Sequence, residues 1–139
     1  MAQREQQMIL LVEDNAISRD ALADILREEG YGVMEAPDGN EALTLLDTRG
    51  FDLIISDVLM PNLNGFDLLA RIRLRWPNLP VILTSASMSQ AQAKAILDGA
   101  AEFIEKPIDL SALFATVQRL LPTAGTMEAV DVPGRSEAA

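Results

Sequence analysis

Residues 52–65, DLIISDVLMPNLNG, decide how the rest of the chain is read. Leu53, Ile54 and Ile55 form a run without a polar face, the pattern of a strand covered on both sides. Asp57 ends the run, and Val58, Leu59 and Met60 lead to Pro61, which can continue neither a strand nor a helix interior. Gly65 then opens an amphipathic segment. A carboxylate therefore stands where a buried strand stops and a loop begins. In open parallel sheets that edge is where ligands bind.

Outward from this stretch, strand-like and helix-like segments alternate. Residues 8–14, MILLVED, are an apolar run of strand length ending in two acids. Residues 15–30 then place Ile17, Ala21, Leu22, Ile25 and Leu26 on one helical face, with Gly30 as a left-handed stop. YGVMEA (31–36) reads as a second strand, and Asp38 with Glu41 has capping-box spacing for the helix after it. The third strand is FDLIISD. The helix from Gly65 turns Phe66, Leu69, Ile72 and Trp76 inward and ends at Pro77. PVILTS (80–85) is the fourth strand, and an Ala-rich helix follows, closed by Gly99. AEFIEK (101–106) is a short fifth strand, before a helix with a stripe at Leu110, Leu113, Phe114, Val117 and Leu121. Five βα units with short connections imply parallel strands, right-handed crossovers and helices on both faces. The chain is thus read as an α/β three-layer sandwich, with the weaker second and fifth strands at the edges. Residues 7–121 form the domain; 122–139, small, polar and aperiodic, read as a disordered tail or linker.

Composition narrows the function. With 49% apolar residues the chain supports a core, and no apolar run is long enough to span a membrane. MAQREQQ lacks the features of a secretory signal. The chain contains neither cysteine nor histidine, so disulfides, thiolate metal sites and imidazole chemistry are excluded. That suits the cytoplasm. A net charge of −10 argues against direct nucleic-acid binding. The only lysines are Lys94 and Lys106.

The polar residues at strand ends converge. Glu13 and Asp14 end strand 1, Asp57 strand 3, Ser85 strand 4 and Lys106 strand 5. Taken singly, each has an ordinary reading: Asp14 as a helix cap, Asp57 as a loop acid, Ser85 as a turn residue, Lys106 as a solvated charge and Phe103 as packing. Together they make a site. Three carboxylates side by side repel, and such a cluster takes up a proton or a cation. Oxygen donors alone favour a hard divalent ion, Mg²⁺ above others, with Mn²⁺ as a substitute. A hydroxyl and an ammonium group opposite suggest a phosphoryl group beside the metal.

These motifs together, LLVEDN, LIISDVLMPNLNG, PVILTSA and FIEKP, resemble in kind and order the receiver domain of two-component response regulators, including single-domain chemotaxis regulators. The resemblance covers about residues 7–121. It implies a flavodoxin-like (βα)5 fold of strand order 2-1-3-4-5. It implies Asp57 as phospho-acceptor, with Glu13, Asp14, Asp57 and the backbone carbonyl of Leu59 holding Mg²⁺. Lys106 would pair with a phosphoryl oxygen, through a cis Lys106–Pro107 bond. Ser85 would swing toward the phosphoryl group and Phe103 follow inward, reshaping the helix 4, strand 5 and helix 5 surface. Leu59 and Ser87 would tune dephosphorylation. Implied partners are a histidine kinase or histidine phosphotransfer protein as donor and a downstream protein as target, with the chain a monomer or a phosphorylation-dependent dimer. It would serve as a free-standing regulator, a phosphorelay intermediate or the receiver of a hybrid kinase.

Departures from the commonest pattern are Ser85 where threonine is frequent and Phe103 where tyrosine is, each with one group fewer. Two other readings compete. An aspartate-nucleophile phosphatase needs a second acid two residues after the nucleophile, where Leu59 stands. A flavin-binding relative needs a phosphate-binding loop after strand 1, where Glu13 and Asp14 would repel a phosphate.

Overall fold

A computed structural model of the chain describes residues 6–121. The chain divides into two compact units between Ile108 and Asp109. The first holds β1 (Met8–Val12), α1 (Ala16–Glu28), β2 (Gly32–Ala36), α2 (Gly39–Thr48), β3 (Leu53–Asp57), α3 (Gly65–Arg75), β4 (Val81–Ser85), α4 (Gln90–Leu97) and β5 (Glu102–Glu105). The second contains α5 (Leu110–Leu120), capped by Asp109, whose side chain accepts from the N–H groups of Ser111 and Ala112. The tail expected over 122–139 lies outside the described residues.

The sheet order is β2-β1-β3-β4-β5 and every pairing is parallel. The expected α/β fold with its flavodoxin-like strand order is present, and strand order reverses between β1 and β3. Inner strands read apolar on both parities because both faces are covered: β3 and β4 are buried at every position. Edge strands β2 and β5 are only partly so.

On one face Leu10, Val12, Ile54, Val81, Leu83 and Phe103 pack with α2, α3 and α4 through Leu46, Leu69, Ile72 and Leu97. Ile9, Leu11, Leu53, Ile55 and Ile82 have the opposite parity and are equally buried. There α1 packs on β1 and β2 and buries Ala23 and Leu26. Each fully buried Leu or Ile contributes about 1.5–3 kcal/mol of hydrophobic stabilisation.

Local signals set the helix boundaries. Asn64 caps α3 by accepting from Asp67 N–H, and Asp38 caps α2 by accepting from Glu41 N–H. A reciprocal capping box forms at α4 between Ser89 and Gln92. Helix α4 ends with Asp98 and Gly99 both at positive φ, the left-handed stop expected of a C-terminal glycine.

Three packing expectations need correction: Ala21, Ile17 and Leu110, of which Ala21 is exposed on α1 while Ala23 is buried. Ile17 lies in the first turn of α1 and is 82% exposed. Leu110, at the first position of α5, is 40% exposed. Trp76, expected inward, does pack half-buried against the core, and it serves as the C-cap of α3 with Arg75 stacked on its ring at 4.4 Å.

Candidate functional site

The carboxyl edge of β1, β3, β4 and β5 gathers the polar residues singled out in the sequence. The parallel register carries Val12 beside Ser56 and Asp57 beside Thr84, so the residues that follow β1 arrive next to the end of β3. Carboxylate oxygens of Glu13, Asp14 and Asp57 lie within 4.8 Å of one another. Lys106 N–H donates to Ser85 O at 2.9 Å, which places the start of the β5 loop alongside the end of β4. From there Lys106 Nζ reaches Asp57 Oδ1 at 2.8 Å and Glu13 Oε1 at 3.0 Å. The Lys106–Pro107 bond is cis, as the resemblance implied.

Asp14 does not cap α1. That role falls to Asn15, whose side chain accepts from Ser18 N–H. Asp14 is exposed, and its carboxylate remains available at the edge. Glu13 is more committed: Oε2 accepts from Asn15 N–H at 3.0 Å while Oε1 takes Lys106.

The repulsion expected among three acids is met by the lysine. Burial alone pushes Lys106 downward, but hydrogen bonds and charges from Asp57 and Glu13 outweigh it, and its pKa lies above the usual lysine value. One ammonium offsets one of three carboxylates, and the charge left over matches a divalent cation. The donor set fits such an ion: all oxygen, with no nitrogen or sulfur competitor.

Around this centre Ser85 is buried, and its Oγ accepts from Ser87 N–H at 3.0 Å and lies 3.0 Å from Ser87 Oγ. Phe103 is buried in the core, and its carbonyl accepts from Gln90 Nε2 of α4. The Leu59 side chain is 62% exposed beside the site.

Gly65 holds the loop after Asp57 in place through close approach. A Cβ there would meet Asp57 O at 2.5 Å and Val58 Cα at 2.9 Å, and Gly65 N–H donates to Val58 O. A cleft of about 300 Å³ adjoins the lysine side of the site, lined by Glu13, Arg19, Leu22, Ile25, Lys106 and Pro107.

Two neighbours were not anticipated from sequence. Thr84, buried in β4, donates from Oγ1 to Asp57 Oδ1 at 3.2 Å. A polar residue inside the apolar run VILTS was the available signal. Arg19 donates from Nη1 to Glu13 O at 2.9 Å and pairs through Nε with Glu35. Nothing in the helical pattern marked it.

Comparison with known proteins agrees with this geometry. The family model for the response regulator receiver domain matches residues 9–118. Response regulator protein FleR of Pseudomonas aeruginosa is 40% identical over 112 residues, covering 80% of this chain and 24% of FleR. Sensor histidine kinase RcsC of Escherichia coli is 35% identical over 118 residues, 84% of this chain and 12% of RcsC. The chain thus spans a quarter or less of these curated relatives. The response regulator TrrA of Thermotoga maritima, solved in complex with Mg²⁺-BeF, is similar in structure at a TM-score of 0.76 and 31% identity, covering 84% of this chain and all of that one. The conclusion from fold, site and comparison is that the chain belongs to the response regulator receiver domain family, a phosphorylation-switched module of two-component signalling.

Proposed function

We propose that the chain accepts a phosphoryl group on Asp57 and reads it out through α4 and β5. The observation that carries this is the Lys106 ammonium lodged between Asp57 and Glu13, inside a cluster of three acids at the end of the sheet. Phosphoryl transfer requires alignment and charge neutralisation above all, and this edge supplies both. The Asp57 carboxylate attacks phosphorus of a phosphohistidine on a histidine kinase or histidine phosphotransfer protein, or of a small acyl phosphate. An O–P bond forms as the N–P or acyl O–P bond breaks, and the electron pair leaves on the donor. These 139 residues contain no histidine, so the donor phosphohistidine lies outside them.

Glu13, Asp14, Asp57 and the Leu59 carbonyl are the groups that would hold Mg²⁺, or Mn²⁺ in its place. The ion, when bound, supplies further neutralisation of phosphoryl charge. Lys106 exchanges its carboxylate partners for a phosphoryl oxygen. Ser85 leaves Ser87 to hydrogen-bond another, and Phe103 shifts with it. Leu59 and Ser87 set how readily water reaches the acyl phosphate. The hydrogen bond from Gln90 to the Phe103 carbonyl joins α4 to β5, a route from that shift to an outward surface for a protein target.

In this reading residues 7–121 are the receiver. It is a cytoplasmic signalling domain that catalyses only its own phosphorylation and dephosphorylation, as a monomer or a dimer formed on phosphorylation.

Incubation with acetyl phosphate and Mg²⁺, followed by intact mass and peptide mapping, tests the reading. One phosphoryl group is expected on the Asp57 peptide, and none in Asp57→Asn. Equal labelling of Asp57→Asn overturns the assignment.

A further inference from the structure

The acid, the lysine and the hydroxyl at Ser85 are accounted for above; Thr84 is not. Its side chain is 3% exposed, in an inner strand whose other residues are apolar until Ser85. Its Oγ1 donates to Asp57 Oδ1, the same oxygen that Lys106 approaches. Asp57 Oδ2 has no donor among the described residues.

We infer that Thr84 is the positioning residue for the attacking carboxylate. This rests on Asp57 being the phospho-acceptor. The terminal torsion of an aspartate is broad and two-fold, so burial alone does not fix which oxygen faces the incoming phosphorus. Lys106 cannot fix it well, because its ammonium sits on a flexible four-carbon stem. Thr84 can. Its hydroxyl stands on a short, buried side chain, and its backbone is paired with Asp57 in the β3–β4 register. The hydroxyl therefore pins Oδ1, and Oδ2 is the oxygen left to form the O–P bond. After transfer Oδ1 is the carbonyl oxygen of the acyl phosphate, still facing Thr84.

Thr84 touches neither donor nor phosphorus in this scheme, so its loss alters the fraction of correctly aligned encounters rather than binding of the donor. A Val side chain removes the hydroxyl while keeping the shape. Asp57 keeps its lysine in that variant.

The experiment compares the wild type, Thr84→Val and Thr84→Ser in labelling by acetyl phosphate with Mg²⁺, across donor concentrations, alongside thermal unfolding. Expected for Thr84→Val is a maximal labelling rate about tenfold lower, from lost alignment. The half-saturating donor concentration and the unfolding midpoint should stay near wild type, with Thr84→Ser restoring the rate. The pair Thr84→Ala and Thr84→Ser, which differ by the hydroxyl alone, repeats the comparison without added bulk. Wild-type labelling on Asp57 with an undiminished rate in Thr84→Val and Thr84→Ala overturns this inference and leaves the phospho-acceptor intact. So does a rate loss that Thr84→Ser shares, since that marks a packing role. Failure of wild-type Asp57 to be labelled overturns the proposed function, and this inference with it.

Discussion

Replacing Gly65 by alanine tests how rigidly the end of β3 is held. The added Cβ would lie 2.5 Å from Asp57 O, 2.9 Å from Val58 Cα and 3.2 Å from Asp57 C. The first of these is roughly 1 Å inside ordinary van der Waals contact. All three neighbours are backbone atoms, so no side-chain rotation relieves the clash. Either the first turn of α3 or the peptide after Asp57 has to move, which also stretches the 2.8 Å hydrogen bond from Gly65 N–H to Val58 O. Overpacking in a tight site costs about 1–3 kcal/mol, and the upper part of that range applies where backbone must yield. The helix-forming advantage of alanine over glycine returns less than about 1 kcal/mol. A net loss near 2 kcal/mol lowers the unfolding midpoint by roughly 8 °C for a domain of this size. Circular dichroism melts of Gly65→Ala measure it, with Gly50→Ala as control, since a Cβ at Gly50 meets nothing within 4 Å. The control should melt within about 1 °C of wild type, because an unstrained Gly→Ala change acts only weakly and through the unfolded chain. A Gly65→Ala midpoint equal to that of the control would refute the close-approach argument.

Other outcomes follow from the same geometry. Lys106 has a folded pKa above its unfolded value, so its contribution to stability is complete below about pH 10.4 and lost as pH rises through the folded value. Wild-type melting midpoints should therefore fall more steeply than those of Lys106→Met as pH rises above about 10.4; parallel curves would show that the ion pairs carry no net stability. Asp14→Asn neutralises one of three clustered acids, one with no hydrogen-bond partner among the described residues, so in chelator the variant should melt slightly above wild type, more so at low salt. In the same variant the rise in midpoint on adding Mg²⁺ should shrink, and an undiminished rise would remove Asp14 from the metal ligands. Arg73 donates to the carbonyls of Trp76, Leu79 and Ala100, tying the end of α3 to the loops before β4 and β5. Arg73→Met strands these acceptors and should cost about 2–3 kcal/mol in urea unfolding, with a loss below 0.5 kcal/mol, about the scatter of surface substitutions, counting against that bracing role.

Much of the site was legible because strand ends are. An apolar run closes where the chain leaves the covered sheet, so Asp57, Ser85 and Lys106 could be assigned to one edge from run lengths alone. Helix faces near that edge were less legible. Ile17 fits the apolar period of α1, yet in the first turn of that helix it stays exposed. Asp14 and Asn15 are both good caps, and only backbone geometry selects Asn15.

The alternation of strands and helices, the two sides of each inner strand and the inventory of donors were all readable along the chain, because each is written in local periodicity and residue chemistry. Tertiary structure alone decided which donors meet. Lys106 and Glu13 are 93 residues apart and become partners only because β1, β3, β4 and β5 end side by side. Thr84 reaches Asp57 only through the β3–β4 register. Gly65 matters because a helix start is pressed against the peptide after the acid. Contacts of this kind depend on distances set by register and packing, which no spacing along the chain encodes.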